Sequence, residues 1–199
     1  MFAKKIAVHF KTNAQLLQHL QGQFDQIQAI RNEISSLDSS FLVFKPSAES
    51  WSANECLKHL NHYGDFYLPQ LNMKVAQLPM EASANEKTFR SGWLGNKFTQ
   101  MMLPGENGKP TKTMKSPTDK LPIDNLKITE TMKIFDDQLE KFAIILQKSS
   151  GKRLEKIRIP ISISRFITLK AGDVLQFYLA HQLRHLLQAK RAAMAKINR

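Results

Sequence analysis

Apolar side chains recur at three- and four-residue steps along four long stretches of this chain, a rhythm that restricts it to packed helices. Between Thr12 and Leu37 the series is Leu16, Leu17, Leu20, Phe24, Ile27, Ile30 and Ile34, with Thr12 or Asn13 placed to cap the start. A second helix opens at Trp51-Ser52-Ala53-Asn54-Glu55. Ser52 followed three residues later by Glu55 is a capping box, and Trp51 stands where it can staple onto Cys56. This helix runs to about Leu68, where Pro69 is expected to kink it on the way to Leu78. A third spans Ile123 to Lys148, with Gly151 as its stop, and the last runs from Gly172-Asp173 to about Lys196. Each stripe needs a partner to cover it. The expected fold is therefore all-α, a four-helix bundle formed as one domain over residues 1–199.

Two connections depart from the rhythm. Residues Pro79 to Pro122 hold Pro104, Gly105, Gly108, Pro110 and Pro117, with one apolar island, Trp93 to Leu103, able to form a short helix. The segment reads as a long crossover between the second and third helices, because neither flank could complete a core alone. Ile157 to Leu169 is β-branched but broken by Pro160, and is expected to be an extended connector rather than a strand pair.

No apolar run approaches the roughly 20 residues needed to cross a bilayer. The start, MFAKKIAVHFKTN, lacks a signal-peptide core, so a cytoplasmic location is expected. Cys56 is the single cysteine and reads as a small buried hydrophobe. The net charge of +12 would draw anions to the surface. It is spread along the chain, with seven basic residues between Lys87 and Lys120 against Glu106 and Asp119. No dense basic run interleaved with aromatics is present, so the expected partners include neither a specific nucleic acid nor a membrane.

The chemistry rests on histidines. His9 and His19 have no partner at ligand spacing. His181 and His185 are four apart on the last helix; four residues turn a helix by about 400° and raise it by about 6 Å, so both rings leave one face, one turn apart. Such a pair can chelate a divalent cation. Val174, Tyr178 and Gln188 share the stripe, which is neither wholly apolar nor a charged surface. A third ligand must come from a facing helix, where His59 and His62 compete and Glu55 is a further candidate already occupied by its cap.

Trp51-Ser52-x-x-Glu55-x-Leu57-x-His59-Leu60, with Gly172-Asp173-Val174 and His181-x-x-Arg184-His185-x-x-Gln188 far downstream, resembles the DinB-like superfamily of metal-dependent proteins. The resemblance covers the helix order of nearly the whole chain, while its motifs occupy residues 51–60 and 172–188. It implies a four-helix bundle, often dimeric, with three histidines holding nickel, zinc or another divalent ion, and it selects His59 beside His181 and His185. It also implies a thiol-dependent transferase, with metal-assisted hydrolysis as the nearby variant. The expected substrate is a small molecule and the co-substrate a low-molecular-weight thiol; Arg184 is the candidate to orient an anionic group, against the competing reading of a structural arginine on a basic helix. The competing expectation is a non-catalytic module whose basic surface recruits an acidic partner.

Overall fold

The computed structural model describes residues 12–105, 108–109, 121–122, 125 and 127–197. His9 and much of the basic crossover lie outside these residues. The described chain is mostly helical, with one two-stranded sheet. Helix α1 covers Asn13–Ser35, a one-turn α2 covers Ser39–Leu42, and α3 covers Ala53–Ala76. A 3-10 turn at Ala84–Glu86 precedes α4, Trp93–Met102. Helix α5 follows at Ile128–Lys148, then strands β1 (Arg158–Ile161) and β2 (Ser164–Lys170), and finally α6 (Ala171–Ile197).

The caps written in the sequence form. Thr12 Oγ1 accepts from the Gln15 N–H at 3.2 Å. At α3 the box is complete: Glu55 N–H donates to Ser52 Oγ at 3.2 Å, and Ser52 N–H to Glu55 Oε2 at 2.8 Å. Pro69 does not end α3, which continues to Ala76. Helix α5 starts at Ile128, later than the expected Ile123, where Lys127 N–H donates to Glu130 Oε2 at 3.1 Å. Gly151 follows with φ of +70°, a left-handed conformation suited to glycine.

Helix α6 is the centre of the packing, touching α1, α3 and α4, while α3 is also covered by α5. Their apolar stripes merge in one cluster that includes Leu20, Ile27, Leu60, Leu71, Phe142, Tyr178 and Leu186. Phe142 lies between Phe24 and Tyr178, with ring centroids 5.4 Å from each, and burying such a side chain contributes about 1.5–3 kcal/mol. Among the described residues no helix is long and apolar enough to cross a membrane.

The expected connector over Ile157–Leu169 is instead an antiparallel hairpin, pairing Arg158 with Lys170, Ile159 with Leu169 and Pro160 with Thr168. Pro160 does not prevent this, because β1 has a strand neighbour on one side only and its missing N–H can face away from the ladder. Ile159, Ile161 and Leu169 enter the core, and Ser162 N–H donates to the Tyr67 hydroxyl at 3.0 Å, fastening the turn to α3. The expected helix at Trp93–Leu103 is α4. It lies against α6 because Gly95 has no side chain: a Cβ there would sit 2.5 Å from Asp173 Cβ. Gly92 N–H donates to Asp173 Oδ2 at 2.9 Å across the same contact.

Candidate metal centre

Two helices supply the site. The capping box fixes where α3 begins, and His59 follows two turns later on the side facing α6. On α6, the four-residue spacing puts His181 and His185 on that same inner side. The three histidines converge: one ring nitrogen from each lies within 4.8 Å of the other two. His59 Nε2 and His181 Nε2 are 3.3 Å apart. Two nitrogens held tetrahedrally by one zinc at about 2.05 Å would be separated by about that distance.

Burial and neighbours set the protonation. His59 and His181 are each 2% exposed, and His185 is partly buried. Burial first, then the neighbouring His185, His59 and Arg184, hold His181 well below its ordinary pKa. Burial also drives His185 down to about 3, with His59 and Arg184 adding to the effect and Gln188 opposing it. Both rings are therefore neutral at physiological pH and carry a lone pair, as a metal ligand must. His185 Nδ1 lies 3.0 Å from Gln188 Oε1. An amide oxygen only accepts, so Nδ1 carries the proton and Nε2 is left for an ion. His181 Nδ1 is buried without a hydrogen-bond partner among the described residues. These features fit a divalent ion of nitrogen-preferring character.

Aromatic rings wall the cluster. The Trp51 ring is 4.9 Å from His59 and 5.9 Å from His185 by centroids. Tyr63 is 4.2 Å from His181, and Phe177 stacks on the same ring at 5.8 Å. Trp51, expected as a staple, thus lies against the site. A groove of about 400 Å³ between α3 and α5, lined by Gly64, Asp65, Gln138 and Lys141 among others, contains none of the three histidines.

The other candidates separate clearly. His62 is outside the cluster. Glu55 is held by its cap and by Lys45 Nζ at 3.0 Å; burial raises its pKa, but the bonds from Ser52 and Lys45 outweigh that and keep it a carboxylate. Arg184 is 7% exposed and its Nη1 donates to the Met101 carbonyl at 3.3 Å, tying α6 to the last turn of α4. It is also close enough to His181 and His185 to disfavour their protonation. Cys56 is fully buried, and burial pushes its thiol pKa far up, which removes it as a nucleophile. The support given by Gln188 went unread in the sequence, although its three-residue step from His185 is the available signal.

A family model described as the DinB superfamily matches residues 23–189, a span that runs from α1 into α6 and contains all three histidines, and the chain belongs to that superfamily. No curated protein and no solved structure matches the chain.

Proposed function

We propose that this member of the DinB superfamily is a metal-dependent transferase: a four-helix bundle, formed as one domain, that holds a divalent ion on His59, His181 and His185 and joins a small thiol to an electrophile. The observation that carries this reading is the meeting of three imidazoles, from helices far apart in sequence, in a neutral and largely buried cluster. A divalent ion with open coordination positions supplies Lewis-acid activation of a thiol or water near neutral pH. The protein's own groups do the rest. Gln188 holds His185 in one tautomer, while Trp51, Tyr63 and Phe177 keep bulk water from the rings. Arg184, fixed by Met101, leaves a cation beside the cluster that favours an anionic group on the substrate. Because Cys56 is sealed in the core, the thiol must come from outside. The homodimer that the family implies belongs to the same proposal.

The test begins with chelator-stripped protein reloaded with nickel or zinc and titrated calorimetrically. The loaded protein is then screened with several cellular thiols against an activated aryl halide and an epoxide. His181→Ala should remove both ion binding and rate, and Cys56→Ala should leave the chemistry nearly intact. Equal rates for the loaded protein and His181→Ala would sink the transferase reading in favour of a non-catalytic module.

A further inference from the structure

The β1–β2 hairpin carries side chains that its own fold does not use. Phe166 is 98% exposed, Ile163 at the turn 61% and Ile167 38%. Around them the sequence from Lys156 to Gly172 has four basic residues, Lys156, Arg158, Arg165 and Lys170, and no acidic one. Lys156 is paired with Glu81, Arg158 folds onto the Thr168 carbonyl and hydroxyl, and Lys170 donates to the Arg90 carbonyl. The Arg165 side chain, beside Phe166, has no ion pair or hydrogen bond among the described residues. Strand β2 also packs against the α4 region, where Trp93 is 77% exposed beneath Lys97, and no acidic residue occurs between Lys87 and Gly105.

From this we infer that the hairpin docks on an anionic lipid bilayer, with Phe166 and Ile163 entering the interface and Arg165 meeting the headgroups. This departs from the expectation that the chain has no membrane partner. It is independent of the metal chemistry. Asp173 faces Arg158 and Lys170, and Glu81 holds Lys156, so the charge left over is that of Arg165, which beside exposed Phe166 and Ile163 selects a negative, apolar-cored surface. Three occupants compete. A second copy would set Arg165 against the same unpaired cation, which like-charge repulsion opposes. Single-stranded nucleic acid would use Phe166 for stacking, but Ile163 and Ile167 have no ring to offer a base and are suited to hydrocarbon. An acidic protein would match the charge, yet a narrow two-stranded ribbon has no concavity for an anchor residue.

Co-sedimentation of the full chain with vesicles tests the proposal, using phosphatidylcholine alone and phosphatidylcholine mixed with about a third phosphatidylglycerol. Each basic side chain at such a surface contributes about fivefold to the partition coefficient. Binding should require the anionic lipid and weaken with salt. Phe166→Ser should lower it severalfold, and Arg165→Glu should lower it about 25-fold. Lys141→Glu makes the same charge change on α5 and should have a much smaller effect. Both hairpin side chains are exposed, so the variants should keep the wild-type circular dichroism and metal affinity. Three results would overturn the proposal: no preference for anionic vesicles, undiminished binding by Phe166→Ser, or equal losses for Lys141→Glu and Arg165→Glu. Self-association, oligonucleotide binding or polyglutamate binding that depended on Phe166, without vesicle binding, would reassign the hairpin to one of the other occupants.

Discussion

Without a bound ion, the histidine cluster should act as an acid-labile element. In the unfolded chain each imidazole titrates near its ordinary 6.5, whereas folded His185 does so at about 3 and His181 well below its ordinary value. Below about pH 6.5 the unfolded state therefore binds protons that the folded state refuses, so stability is full above that pH and falls as the solution is acidified. Each such histidine adds a slope of about 1.4 kcal/mol per pH unit. Integrated to about pH 4.5, His185 contributes a loss of about 2.7 kcal/mol, and His181 adds to it in the same direction. The His185 share alone is a sizeable fraction of the whole stability of an ordinary domain, about 5–15 kcal/mol. Urea unfolding of chelator-stripped protein between neutral pH and pH 4.5 measures the slope. His185→Gln, neutral and similar in size, should remove about 2.7 kcal/mol of the loss. Carboxylates such as Glu81, held low by Lys156, act in wild type and variant alike and cancel in the comparison. The same slope in wild type and in the doubly substituted His181→Gln, His185→Gln protein would refute the reasoning.

Gln188→Leu should weaken calorimetric metal affinity by about 10–100-fold by releasing His185 Nδ1, with a change of tautomer visible in nitrogen-15 spectra. Gly95→Ala should cost about 1–3 kcal/mol, because its Cβ would strike the Asp173 side chain; a thermal midpoint within a degree of wild type would contradict that packing.

Much of this was legible from local rules. Caps act within one turn, so Thr12 and the Ser52–Glu55 box could be read directly, and the i,i+4 step of His181 and His185 fixed their common face. The choice of His59 over His62 was different. Both lie on one helix, and only the position of α6 shows which ring faces the pair; the family motif stood in for that information. The hairpin was missed because its hold is non-local: Tyr67, 95 residues from Ser162, secures the turn. A short β-branched run with an internal proline does not reveal such a clamp. Helix α2 is four residues long, too short for periodicity to register, although Asp38 caps it at Ser40 N–H. Arg184 was placed beside the site by its neighbour in sequence, but Met101, the carbonyl that holds it, comes from 83 residues away.

His59 and His181 are separated by 122 residues, which orders events during synthesis. At about 5–20 residues per second, His59 leaves the ribosome's active centre about 6–25 seconds before His181 is even polymerised. An ion meeting the emerging chain in that interval finds one imidazole of the set and no chelate. If the cluster holds an ion, discrimination among competitors would therefore fall to the completed protein, after translation of the last helix, and would depend on which ions are free in its surroundings at that moment.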